Sequence, residues 1–314
     1  MLSSGLARAQ SAKPFVIGYL NPVAGGDANV RFLRRQFLLG LRDLGYLENR
    51  HFTMEDRHAD GQLERLPALA AELVNLPVDV IVTSGEAAIR AAKSATQKIP
   101  IVMALAPDPV GSGIVASLAH PGGNITGMSG LAADMASKRV ELLKEMVPAA
   151  SHAAVLWNSS SRPKIKEWQG TQAAARSIGL SLRSVEVRTA ADFNQAFSSI
   201  LRERPDALLT FVDALTLAVI EKIGRFALDN RLPMFSELRE FAVVGAIATY
   251  GTSRADLWRR SAIFVDKIVR GAKPADLPIE QPTRFELIIN LKAAKAIGFP
   301  VAPTMLTRAD DVIE

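Results

Sequence analysis

The chain has 314 residues, 48% hydrophobic and 22% charged, long enough for about two packed domains and too apolar for disorder. Its net charge of +5 comes from Lys and Arg spread along helical segments (Arg31, Arg34, Arg35, Lys138, Arg139, Arg259, Arg260), a solvated surface rather than a nucleic-acid or membrane footprint. It contains no cysteine, which excludes disulfides, thiol catalysis and cysteine-based metal sites.

Ala7-Arg8-Ala9 followed by Gln10-Ser11-Ala12 has the small-x-small pattern of a secretory cleavage site, although no charged or apolar region precedes it. Two readings stay open: the chain starts inside a signal peptide, which we expect, or the pattern is accidental. No stretch approaches the ~20 apolar residues of a membrane span.

From residue 15 onward strands and amphipathic helices alternate. The first half reads as strand 15–20, helix 30–44, strand 52–56 and helix 63–73. Strand 78–83, helix 86–95 and strand 101–104 follow. Val16-Ile17 and Val80-Ile81-Val82 are apolar on both faces, as in a parallel sheet covered by helices. A break at Pro121-Gly122-Gly123-Asn124 leads through 125–130 to helix 136–146. The alternation then restarts with strand 153–157, helix 163–178, strand 181–187 and helix 191–201. Strand 207–212, helix 215–230, a short strand at 234–235 and strand 246–249 complete it. One architecture is thus written twice, giving two parallel α/β domains. Helix 255–270, strand 285–290 and helix 291–297 are too little for a third domain. They are expected to return to the first domain through a hinge crossed more than once, with a ligand site in the cleft.

Ligands of open α/β sheets bind at the carboxyl ends of the strands. Those corners hold Asn21, Thr83-Ser84-Gly85, Asp108, Asn158, Asp213, Ser236-Glu237 and Tyr250. Hydroxyls and helix N-termini suit a carboxylate; Asp108, Asp213 and Glu237 suit an ammonium group. Together they describe a pocket for a zwitterion, although Ser84, Asp108 and Ser236 would serve equally as helix caps. Of the aromatic residues near these ends, Phe211 and Phe235 are expected in the core, and Trp157 could pack there or stack on a ligand. Tyr19 and Tyr250 are further stacking candidates.

Catalytic signatures are weak. Gly111-Ser112-Gly113-Ile114-Val115-Ala116 matches a relaxed dinucleotide fingerprint, but Pro107-Asp108-Pro109 separates it from the preceding strand. His51, His58, His120 and His152 are scattered, so neither a metal site nor a histidine base is expected, and no cofactor.

Several segments in order and spacing resemble the ABC-transporter substrate-binding proteins of the family that includes tryptophan- and phenylalanine-binding members. They are Ile17-Gly18-Tyr19-Leu20-Asn21, Leu41-Arg42-Asp43-Leu44-Gly45-Tyr46, Leu66-Pro67-Ala68-Leu69-Ala70-Ala71-Glu72-Leu73 and Val80-Ile81-Val82-Thr83-Ser84-Gly85. Asp108-Pro109-Val110-Gly111, Pro121-Gly122-Gly123-Asn124-Ile125-Thr126-Gly127, Gln281-Pro282-Thr283-Arg284-Phe285-Glu286-Leu287 and 308–314 continue the match. The resemblance implies a periplasmic binding protein type I fold: two doubly wound parallel-sheet lobes joined by a three-segment hinge. It implies lobe 1 over 14–128 plus 251–282, lobe 2 over 129–250, and 283–314 crossing back, with 1–13 a signal-peptide remnant.

The implied function is that of a periplasmic, non-enzymatic, monomeric protein that closes around a small carboxylate such as an amino acid and delivers it to a membrane permease. The alternative is a ligand sensor or an enzyme on the same fold. Phe211-Val212-Asp213-Ala214 and Ser236-Glu237-Leu238-Arg239 depart from the family's usual loops, so the side-chain end of the ligand is left open.

Overall fold

A computed structural model describes residues 14–130 and 135–314; the cleavage-like motif and the remnant expected over 1–13 lie outside them. The contacts divide the chain into two units. One holds residues up to Ala104, Gly122–Gly127 and Trp258–Leu277; the other holds Leu105–Pro121, Met128–Leu257 and Pro278–Glu314. Residues 105–121, 128, 251–257 and 278–282, expected in the first lobe, fall in the second unit.

In chain order the elements are β1 (Phe15–Asn21), α1 (Ala28–Asp43), β2 (Phe52–His58), α2 (Leu66–Val74), β3 (Val80–Ser84), α3 (Glu86–Ala95), β4 (Ile101–Ala106) and β5 (Ile125–Ser129). Then come α4 (Ala136–Met146), β6 (His152–Asn158), α5 (Arg162–Ser177), β7 (Ser181–Val187), α6 (Phe193–Glu203), β8 (Ala207–Thr210), α7 (Ala214–Ala218) and α8 (Ile220–Asp229). The chain ends with β9 (Met234–Ser236), α9 (Arg239–Val244), β10 (Ala248–Thr252), α10 (Arg254–Val269), β11 (Phe285–Asn290), α11 (Leu291–Ala296), α12 (Pro303–Leu306) and β12 (Asp311–Ile313).

The first sheet has the order β2-β1-β3-β4-β5. Val80, Ile81 and Val82 in β3 are all completely buried, as an internal strand covered on both faces requires. Helix α1 begins where the Asp27 carboxylate accepts from the Asn29 and Val30 amides, and it buries Val30, Leu33, Phe37 and Leu41 along one stripe. Gly40 lies on that stripe because a Cβ there would come within 2.1 Å of the Arg259 carbonyl of α10.

The second sheet has the order β12-β11-β10-β9-β8-β6-β7. Alternate residues of its strands feed opposite cores, Val155, Trp157, Leu209 and Phe235 on one face and Ala154, Leu156, Leu208 and Met234 on the other. Both sheets carry the doubly wound order in which the first strand is flanked by the second and third.

Four local readings differ. Residues Ile125–Ser129, read as part of a break, form the strand β5; Gly127 at φ +135° disguises it, and a Cβ there would meet the Met103 carbonyl at 2.2 Å. The helix expected over 215–230 is two helices, because Val219 at φ −123° and ψ 22° interrupts it. Strand β11 runs antiparallel to β10, and β12 pairs with it in parallel. Helices α9 and α12 were not anticipated; both are one turn or little more, too short to show a period. Among the described residues no helix is long and apolar enough to cross a membrane.

Candidate functional site

In the first unit the strand order reverses between β1 and β3, the position at which doubly wound sheets bind ligands beyond their carboxyl ends. The parallel register pairs Leu20 with Thr83, so Asn21 and Ser84 emerge side by side. Asn21 is built into this edge: its Nδ2 donates to Tyr19 Oη at 2.9 Å and its Oδ1 accepts the Val23 amide at 2.8 Å. Thr83, expected to hold a carboxylate, is fully buried and donates its hydroxyl to the Leu20 carbonyl at 2.9 Å, a tie across the two strands.

Ser84 and Gly85 are different. The Ser84 hydroxyl, half-buried, makes no hydrogen bond among the described residues, and no side chain caps α3. Gly85 turns the chain at φ +80°, a conformation that favours glycine, and the space where a Cβ would sit is empty to 4 Å. The result is a helix N-terminus whose first amides and neighbouring hydroxyl are unclaimed, an arrangement complementary to an anion.

In the second unit the corresponding reversal lies between β6 and β8. Here Asn158 Nδ2 donates to Asp213 Oδ2 at 2.6 Å, so the structure joins two residues that are 55 positions apart. Asp213 Oδ1 accepts from the Leu215 and Thr216 amides at 3.1 and 3.0 Å and so starts α7. Among the described residues no Lys, Arg or His lies within 4 Å of this carboxylate to pair with it. It is half-buried.

Asp108 accepts the Gly111 amide at 2.9 Å and lies 3.7 Å from the exposed Lys166 ammonium, within the same unit. Residues 109–119, beyond it, form turns and no helix, so the glycine fingerprint lacks the helix that its chemistry requires. Tyr250, half-buried on β10, stacks on Phe285 at 6.3 Å and lines a narrow crevice with Ser236, Phe235 and Arg139. Ser236 is buried and donates to the Thr210 carbonyl at 2.8 Å. The remaining aromatic residues are structural: Trp157 stacks on Trp168 at 5.8 Å and donates to Ser184, and Phe211 and Phe235 are core.

Glu237 departs from its expected role as an ammonium holder. Among the described residues it belongs to a buried group of charges with Arg139 of α4 and Lys164 and Glu167 of α5. Lys164 Nζ lies 2.6 Å from Glu167 and 3.0 Å from Glu237; Arg139 pairs with Glu167 and reaches Glu237 at 3.6 Å. Burial pushes the Glu237 carboxyl up, but Lys164, Arg139 and the Val212 amide hold it below the usual carboxylate range. Burial would depress the Lys164 ammonium, yet its two carboxylate partners raise it. Arg139, read from sequence as a solvated surface residue, is 3% exposed. Among the described residues no group of three or more His, Asp or Glu side chains is placed to hold a metal ion.

The family model described as ABC transporter substrate binding protein matches residues 27–313. A tyrosine-binding protein of Clostridioides difficile strain R20291 is 26% identical over 265 residues, covering 84% of this chain and 76% of that protein. The crystal structure of a conserved domain protein from Vibrio cholerae superposes with a TM-score of 0.87 at 27% identity, over 96% of this chain and all of that one. An ABC domain from Streptococcus pneumonia, solved in complex with L-Trp, gives the same TM-score at 24% identity, again over 96% of this chain and all of that one.

Proposed function

Given that the chain belongs to the ABC transporter substrate-binding protein family, we propose that it captures an aromatic amino acid outside the cytoplasm and hands it to a membrane permease. The ligand class comes from the tyrosine-binding relative and from the chemistry of the two corners. The unclaimed amides and hydroxyl at Ser84 and Gly85 suit a carboxylate. The Asp213 carboxylate, held in place by Asn158, suits the α-ammonium. Tyr250 supplies an aromatic face near the second sheet's edge, where a flat side chain gains by stacking.

The observation that carries the reading is the charge left over at Asp213. A half-buried carboxylate without a cationic partner among the described residues gains from one supplied by a ligand. Thr83, Asn21 and Ser236 support the corners from beneath, and Asp108 shapes the turn at 108–111.

The protein acts as a monomer, and capture involves no turnover, cofactor or nucleic acid. Mass spectrometry of small molecules released from the purified, denatured protein tests this reading. The expected species is an unmodified aromatic amino acid. A sugar, a nucleotide or a chemically altered product in its place would refute the assignment.

A further inference from the structure

Arg139, Lys164, Glu167 and Glu237 carry two positive and two negative charges and are almost out of solvent. Clusters of this kind are costly to desolvate, and apolar residues of the same volume often serve stability as well. Its placement gives it another use. Lys164 stands in the first turn of α5, which follows directly on the Asn158 corner, where the Ser161 amide donates to the Asn158 carbonyl at 3.2 Å. Glu237 directly follows Ser236, the last residue of β9, whose hydroxyl donates at 2.8 Å to the Thr210 carbonyl, three residues before Asp213. The cluster therefore links the segment after Asn158 to the end of β9, which is bonded to the strand leading into Asp213. Gly251 lets it sit there, because a Cβ at that position would lie 2.2 Å from the Glu237 carbonyl.

We infer that the buried four-charge cluster positions the second unit's ligand corner, and that Glu237 is a positioning residue rather than a contact to the ligand. The inference rests on the capture role proposed above, but the geometry it specifies exists without ligand. Glu237 anchors the end of β9 beside β8, Lys164 sets the start of α5, and Arg139 and Glu167 fix the distance from one to the other.

The test is hydrogen exchange of the ligand-free full chain, read alongside calorimetric titration with L-tyrosine. Lys164→Met with Glu237→Leu removes one charge of each sign and, with them, the link from α5 to the end of β9. Exchange over 211–217 and 158–164 is expected to quicken at least tenfold, with 181–187 unchanged. Lys164→Gln with Glu237→Gln keeps a hydrogen-bonding pair at that link, and exchange over 211–217 is expected within about threefold of wild type. L-Tyrosine affinity follows the same order.

Unchanged exchange over 211–217 in the Glu237→Leu variant overturns the inference. So does an equal acceleration throughout the second unit, which would mark the cluster as merely stabilising. If the apolar pair does not fold, Glu237→Asp, one methylene shorter, decides: acceleration of at least threefold over 211–217 supports the inference and none overturns it. If wild type does not bind L-tyrosine, the ligand reading fails while the exchange result still decides the positioning role.

Discussion

Asn158 donates to Asp213 at 2.6 Å across the point where the second sheet reverses its strand order, and Asp213 at the same time starts the next helix through its other oxygen. One carboxylate thus performs a structural task with Oδ1 and keeps its charge for a ligand. The two tasks are separable. Asparagine caps helices about as well as aspartate, so Asp213→Asn should leave the thermal midpoint within a few degrees of wild type. The lost charge-assisted bond to an ammonium is worth about 1.5–3 kcal/mol, or roughly ten- to a hundredfold in affinity. Calorimetric titration of L-tyrosine into both proteins checks this. An equal loss of stability and affinity would contradict it.

The α1–α10 contact in the first unit makes a second prediction. Gly40→Ala places a methyl group 2.1 Å from the Arg259 carbonyl, where backbone and not a flexible side chain must give way. Overpacking of this kind costs typically about 1–3 kcal/mol. Gly40 stands apart from the Ser84–Gly85 corner in the fold of α1, so the midpoint of chemical unfolding should fall while L-tyrosine affinity holds.

Acid should weaken the second unit at the start of β6. Burial alone would raise the Asp206 carboxyl, but the Ser151 and His152 amides, at 2.8 and 3.1 Å, and the His152 ring hold it below the ordinary value of 3.8. A carboxyl lowered in the folded state contributes fully above its unfolded value, and that contribution is lost as pH falls through the folded one. Wild type should therefore exceed Asp206→Asn in thermal midpoint at pH 6, with the gap shrinking as pH falls below about 4. A gap that widens on acidification would reverse the sign.

The sheet order was legible in the sequence because Val80-Ile81-Val82 and its counterparts are apolar on both faces, and only a strand between helices allows that. The strand Ile125–Ser129 was not, since Gly127 and the flanking glycines imitate a turn. At the site, residue type located the corners but not the direction of each side chain. Thr83 and Ser236 have the hydroxyls a carboxylate needs, yet strand register turns both toward carbonyls of neighbouring strands.

The four-charge cluster was invisible for a related reason. Lys164 and Glu167 are three residues apart, a spacing that usually marks a solvated helix face, and Arg139 and Glu237 come from distant segments. Only folding brings the four together, and only burial shows that they are not surface.

The most direct test of amino-acid capture is calorimetric titration of the protein, stripped of ligand by unfolding and refolding, with L-tyrosine, L-tryptophan, tyramine and 3-(4-hydroxyphenyl)propanoate. If the ligand is recognised by both its carboxylate and its ammonium, at least one amino acid binds, and each analogue lacking one charge binds at least tenfold more weakly than L-tyrosine. Binding of tyramine or the deaminated acid as tight as that of L-tyrosine, or no binding of either amino acid, would contradict the account.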